Sequence, residues 1–119
     1  MTRTTPDLVR ELGDGEIFVF GSNAAGLHGG GAARTAHQRF GAEWGVGEGL
    51  TGQTYALPTM EGQVAFAQAA ARFVAYAAEH PELTFLLTKV GCGIAGHDED
   101  VVRQWFTATP PNVVKPPGW

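Results

Sequence analysis

Short apolar runs alternate along this chain with longer segments in which apolar residues recur at helical spacing. The runs at 16–20, 54–57, 83–90 and 112–115 predict four strands, and the prolines around the last one favour a sheet edge. The segments at 30–40 and 62–80 predict helices, and Pro81 ends the second of them. A further helix is expected to begin at Asp98 as its N-cap, and a short one is expected over 5–13. Helices and strands therefore alternate.

This alternation predicts an α/β fold in which a mostly parallel sheet of about four strands lies between helices, a three-layer α/β/α arrangement. The expected strand order is 2-1-3-4, so strands one and three are neighbours. Ligands of such sheets bind outside the carboxyl ends of the strands, where the strand order reverses. The length of 119 residues corresponds to one domain over 1–119.

Glycine placement points to the same location. Of the 17 glycines, 13 fall in the segments 21–31, 41–52 and 91–96. The first and third segments follow strands one and three and lead into helices, so their backbone amides and the helix dipoles favour an anion such as a phosphate. The segment 47–52 spells GxGxxG before a strand, which is the wrong context for a dinucleotide fingerprint. The segment 91–96 has the right context, but Lys115 stands where an acid would hold a ribose.

The two loops supply the candidate site residues. Those expected against a ligand are Gly21, Ser22, Asn23, Gly29, Gly30, Gly31, Ala32, Gly91, Cys92, Gly93, Ile94, Ala95 and Gly96. Simple tight turns remain the alternative for these glycines.

Three further residues are candidates for catalysis. His28 and His97 would act as acid and base or meet a phosphate, and the alternative for each is a partly exposed loop residue. Asp98 is either a helix cap or a catalytic residue. Cys92 is either a nucleophile or a packed thiol, and Trp44 either stacks on a base or packs.

The composition of the chain argues against several classes of function and partner. The net charge of −4 and the lack of a basic cluster exclude strong non-specific nucleic-acid binding. No apolar run is long enough for a membrane span and no signal peptide is recognisable, so a cytoplasmic protein without a membrane partner is expected. One cysteine excludes an internal disulfide framework. The histidines show no metal-ligand spacing, and neither a metal nor a cofactor is expected.

The loop motifs resemble those of macrodomains. Asn23-Ala24-Ala25 followed by the glycine run and alanines at 29–33 resembles the first ligand loop of that family, and the Val-Gly-Cys-Gly-Ile segment at 90–94 resembles the second. The resemblance implies a three-layer fold that binds ADP-ribose, free or on an ADP-ribosylated macromolecule. It implies Asn23 near the distal ribose, with the loops 29–33 and 91–96 around the diphosphate.

The chain departs from the catalytic patterns of the family. Ala32 and Ala33 stand where one hydrolase branch has an acid, Ala95 replaces the aspartate of the glycohydrolase branch, and Thr59 and Met60 occupy the place of its lysine. Binding of ADP-ribose or a related nucleotide diphosphate is therefore expected, with hydrolysis of ADP-ribosyl linkages left open. The alternatives are a nucleotide hydrolase or transferase that uses His28 or His97, and a non-catalytic interaction module.

Overall fold

The computed structural model describes residues 3–119. It has a five-stranded mixed sheet with helices packed against it. In chain order the elements are β1 (Glu16–Ser22), α1 (Gly31–Arg39), β2 (Gly49–Thr51), β3 (Thr54–Pro58), α2 (Gln63–Glu79), β4 (Thr84–Leu87), α3 (Glu99–Val102), a 3₁₀ turn (Arg103–Phe106) and β5 (Val113–Val114). No helix within residues 3–119 is both long enough and apolar enough to cross a membrane.

The sheet order is β2-β3-β1-β4-β5. β1 is parallel to both β3 and β4, and β4 is parallel to β5, whereas β2 is antiparallel to β3. The predicted strands one to four correspond to β1, β3, β4 and β5. The observed order differs from the predicted 2-1-3-4 because an additional strand, β2, lies at the edge beside β3. The predicted mostly parallel sheet of four strands is thus corrected to a mixed sheet of five. The apolar pattern missed β2 because its one large apolar residue, Leu50, is exposed.

β1 is the centre of the molecule, and its residues 17–20 are buried. Ile17 and Val19 pack into one hydrophobic cluster with α2, α3 and the 3₁₀ turn. Phe18 and Phe20 pack into a second cluster with α1 and the segment around Val9. Successive strand residues point to opposite faces, so burial on both faces produces the continuous apolar run in the sequence.

The predicted N-terminal helix over 5–13 is wrong. Thr5 does not cap a helix, because its amide donates to the Lys115 carbonyl at 2.9 Å and its hydroxyl donates to the Val114 carbonyl at 3.0 Å. Thr4 forms an isolated parallel bridge with Lys115. A helix this short has little intrinsic stability, and pairing with the end of β5 satisfies more of the backbone.

Candidate functional site

A cleft of about 300 Å³ opens at the carboxyl ends of β1 and β4. One wall is the loop after β1 together with the start of α1, and the opposite wall is the loop after β4. Thr59 and Met60, which follow β3, complete the lining. Because β1 and β4 are parallel neighbours whose following chains diverge, this is the position where ligands of α/β sheets bind.

The two glycine-rich loops meet across this cleft. A methyl group added at Gly30 or Gly31 would lie 3.8 or 3.7 Å from Cδ1 of Ile94, and one added at Gly21 would lie 3.3 Å from the amide nitrogen of Gly91. Ile94 is 80% exposed, and its side chain reaches from the loop after β4 to the start of α1. The loops therefore form the two walls of a single open crevice.

Most of the sequence-predicted ligand residues line this crevice. They are Gly21, Ser22, Asn23, Gly30, Gly31, Ala32, Gly91, Gly93, Ile94 and Ala95. The cleft lining does not include Gly29, Cys92 or Gly96. These three lie in the same loops but outside the crevice lining, so for them direct ligand contact stays a prediction that the lining does not support.

Both walls carry backbone amides that no protein group satisfies. α1 has Gly30 as its N-cap, which supplies no side chain, and the first bond of the helix runs from the Arg34 amide to the Gly30 carbonyl at 3.2 Å. In the described part of the chain, the amides of residues 31–33 and of residues 93–95 donate to no protein acceptor. An anion between the walls would accept hydrogen bonds from both sets and would benefit from the dipole of α1.

Asn23 lines the cleft, but its side chain closes its own loop. Its Oδ1 accepts from the Leu27 amide at 2.9 Å, and its Nδ2 donates to the Leu27 carbonyl at 3.1 Å. A methyl group at Gly26 would lie only 2.4 Å from the carbonyl carbon of Gly45, so this loop packs directly on the segment 41–47. Asn23 thus shapes the loop in addition to bordering the cleft.

His28 does not line the cleft, so its predicted role as an acid or base there is wrong. Its side chain is 1% exposed and stands edge-on to Phe20 at a centroid distance of 5.2 Å. Nε2 lies 2.9 Å from the Glu43 carbonyl, which makes it the donor, while Nδ1 is buried without a hydrogen-bond partner among the described residues. Trp44 packs against His28 and His37 and also lies outside the cleft.

His97 and Asp98 also lie outside the cleft lining. His97 Nε2 is 2.8 Å from the Thr59 carbonyl and its ring meets Phe66 at 4.9 Å, so it fastens the loop after β4 to the segment after β3. Asp98 accepts the Asp100 amide at 2.9 Å and is the N-cap of α3. The cap interpretation of Asp98 is confirmed. The structure does not bring the three catalytic candidates together.

Cys92 has no sign of activation as a nucleophile. Burial raises the pKa of its thiol, and the nearby Glu99 carboxylate adds to that effect. Its Sγ lies 3.4 Å from the Val90 carbonyl. A protonated, half-buried thiol is a poor nucleophile, so packing is the better interpretation.

Two residues directly after β4, Thr88 and Lys89, were missed by sequence reasoning. The Thr88 hydroxyl donates to the Val19 carbonyl at 2.7 Å and joins β4 to β1 at the floor of the cleft. Lys89 is the only charged residue among the described residues that line the cleft. Their position directly before the second glycine loop is the signal that would have identified them.

The Lys89 ammonium is held near the cleft by a carboxylate. Its Nζ lies 3.3 Å from Oε1 of Glu99, an oxygen that also accepts the Trp119 indole N–H at 2.9 Å. The hydrogen bond from Trp119 lowers the pKa of Glu99, and the hydrogen bond from Lys89 lowers it further by a smaller amount. Glu99 therefore stays ionised at neutral pH and keeps a counter-ion beside the lysine.

No group of three or more metal-ligating side chains in residues 3–119 is arranged to hold a metal ion. No protein-family model, curated protein or solved structure matches this chain. The geometry of the cleft and the two loop motifs are therefore the features of this chain that point to a function.

Proposed function

We propose that this chain is a macrodomain-like module that binds ADP-ribose or a related nucleotide diphosphate in the cleft between its two glycine-rich loops. The observation that carries the proposal is the pair of amide sets, at residues 31–33 and 93–95, that border one crevice without protein acceptors. A diphosphate has oxygens on two adjacent groups and can accept from both walls at once.

The size and charge of the cleft support the same ligand. A volume of about 300 Å³ is at the lower end of the range for small-molecule sites. The chain has a net charge of −4, so general attraction of anions is weak and recognition has to come from local donors. Backbone amides and the single ammonium of Lys89 provide them.

The architecture also supports the proposal. Hydrophobic clusters with helices lie on both faces of the sheet. The four parallel strands with β1 at their centre are consistent with a compact three-layer macrodomain-like fold to which β2 is added. In this interpretation the loop after β1 contacts the distal ribose and the loop after β4 encloses the diphosphate.

The proposed activity is binding, without a familiar hydrolytic mechanism. No aspartate, glutamate or histidine lines the cleft in the part of the chain that the structure describes. The hydroxyls of Ser22, Thr59 and Thr88 donate hydrogen bonds to backbone carbonyls. Activation of a water requires a base within hydrogen-bond reach, and the cleft supplies no side chain of that kind.

Thermal shift and titration calorimetry with ADP-ribose test the proposal. At a free ligand concentration 100 times Kd, binding to the native state adds about 2.7 kcal/mol, which corresponds to a rise in melting temperature of about 8–13 °C for a chain of this size. Adenosine, which lacks phosphate, serves as the control ligand and should give a much smaller rise. An unchanged melting temperature and no binding heat with ADP-ribose at millimolar concentration would reject the proposal.

A further inference from the structure

A second depression, here called the side pocket, lies next to the cleft and encloses about 270 Å³. Its lining includes Ala24, Glu48, Pro58, Glu61 and Arg72. It is distinct from the cleft, because the two depressions have no lining residue in common.

The side pocket and the cleft share a wall made of two adjacent chain segments, 22–24 and 58–61. Asn23 lines the cleft and the next residue, Ala24, lines the side pocket; Met60 and Glu61 divide in the same way. The Thr59 amide donates to the Ser22 carbonyl at 2.9 Å, and the Ala24 amide donates to Glu61 Oε2 at 3.1 Å. Adjacent Cα atoms are about 3.8 Å apart, so the shared wall is narrow. A group that extends from a ligand in the cleft across this wall enters the side pocket.

The two depressions have opposite polarity. Glu48 and Arg72 form a two-bond ion pair at 2.7 and 2.9 Å, and their charges cancel. The charge left over in the side pocket is the Glu61 carboxylate, which uses one oxygen to hold the Ala24 amide. The cleft offers backbone amides, whereas the side pocket offers a carboxylate. A ligand that satisfies both carries an anionic part and a cationic part.

We propose that the side pocket receives the guanidinium of an arginine side chain that carries the ADP-ribosyl group. The protein would then prefer ADP-ribose linked to arginine in a protein over ADP-ribose linked to a neutral side chain. This inference rests on the proposed function. A guanidinium remains charged when one of its nitrogens bears the ribose, and its remaining N–H groups suit a carboxylate. A serine linkage presents no charge to Glu61.

Affinity measurements on two peptides of identical sequence test this inference, one ADP-ribosylated on arginine and the other on serine at the same position. Free ADP-ribose is the third ligand. Because Glu61 is exposed, the wild-type protein should bind the arginine-linked peptide about two- to fivefold more tightly than the serine-linked one. Glu61→Gln keeps an oxygen to accept the Ala24 amide but removes the charge. It should abolish the preference and leave the affinity for free ADP-ribose unchanged.

Glu79→Gln is the matched control variant. It removes the same charge at the last residue of α2, about 24 Å along the helix from Gln63, and should retain the wild-type preference. Equal affinity of the wild-type protein for both peptides, or a preference that survives in Glu61→Gln, would overturn the inference while leaving ADP-ribose binding intact. An equal loss for all three ligands in Glu61→Gln would also overturn it, because Glu61 would then act only by shaping the loop. Failure of the wild-type protein to bind any of the three would overturn the proposed function and this inference with it.

Discussion

Replacement of Gly30 by aspartate is expected to stabilise the fold and to prevent ligand binding. Gly30 is the N-cap of α1 with φ −153° and ψ 164°, an extended conformation that any residue adopts. A side chain there has room, since the nearest atom to an added Cβ is Cδ1 of Ile94 at 3.8 Å. An aspartate at an N-cap accepts from the second or third amide of the helix, here Ala32 or Ala33. The carboxylate would thus occupy amides proposed to hold the diphosphate.

The substitution is expected to raise the free energy of unfolding and to lower the affinity for the ligand. The cap and the favourable interaction with the helix dipole together add about 0.5–1 kcal/mol to the free energy of unfolding, or about 2–5 °C in melting temperature. Two unit charges 4 Å apart repel by about 4 kcal/mol at an effective dielectric constant near 20, and solvent screening leaves about half of that. A penalty of about 2 kcal/mol weakens binding about 30-fold. The loss of amide donors adds to this penalty.

Melting without ligand and calorimetric titration with ADP-ribose measure the two effects separately. Gly29→Asp is the charge control, because it adds the same carboxylate one residue earlier, at a position outside the cleft lining, and should weaken binding much less. ADP-ribose affinity within threefold of wild type in Gly30→Asp would refute the assignment of the α1 amides to the ligand. A lower melting temperature in the same variant would refute the capping geometry.

Three further substitutions test the cation of the cleft, the loop after β4 and the response to acid. Lys89→Gln should weaken ADP-ribose binding about three- to tenfold and reduce its salt dependence. Arg103→Gln, which removes an exposed cation paired with Asp100, should leave the affinity for ADP-ribose unchanged. An equal loss of affinity in both variants would contradict a specific role of Lys89. Gly91→Ala should lower the free energy of unfolding by more than about 2 kcal/mol in urea unfolding, because Gly91 has φ +74° and an added Cβ would lie 2.3 Å from an aromatic ring of α2. Gly93→Ala, which meets nothing within 4 Å, should stay within about 0.5 kcal/mol of wild type, and similar effects of both would contradict the geometry. The hydrogen bond from the Gly13 amide, and to a smaller extent that from Arg3, lowers the pKa of Glu16 from its ordinary value of 4.5. The ionised carboxylate therefore adds to the free energy of unfolding above pH 4.5, and this stabilisation is lost as the pH falls through the lowered pKa. The stability difference between wild type and Glu16→Gln, followed by urea unfolding from pH 7 to 3, should therefore shrink below about pH 4.5, and a constant difference would contradict this.

The sequence predicted the elements that bury apolar surface and failed on those held by other interactions. β1 and α2 were predictable because their apolar patterns reflect burial against the sheet and the helices. β2 has no buried large side chain and forms through its antiparallel ladder with β3, which leaves no periodic signal. The segment at 5–13 has local features of a helix start, but its partner is β5, about 110 residues away in the chain. Pairing over such a distance is invisible to local propensity.

The location of the cleft was predictable, whereas the directions of side chains were not. Glycine placement and strand order both concern the backbone, and both indicated the crevice between the loops after β1 and β4. His28 lies in the correct loop, yet its ring turns inward beside Phe20, where an aromatic cluster covers it. Lys89 falls inside an apolar run that predicts a strand, so the sequence pattern does not place it in a loop. The chain leaves the sheet after Leu87, two residues earlier.

The glycine-rich segment at 41–52 explains how the first loop keeps its shape. A methyl group at Gly47 would lie 2.4 Å from the Asn23 carbonyl oxygen, and Gly26 meets Gly45 equally closely, so the two segments touch backbone to backbone. Of the three glycines of the GxGxxG segment, Gly47 packs behind the loop after β1, Gly52 packs against Gly41, and an added Cβ at Gly49 would meet nothing within 4 Å. His28 adds to this support through its hydrogen bond to the Glu43 carbonyl. Cleft-lining residues and the residues that support them thus differ in kind: the first present main-chain amides, and the second hold the main chain in the conformation that exposes them.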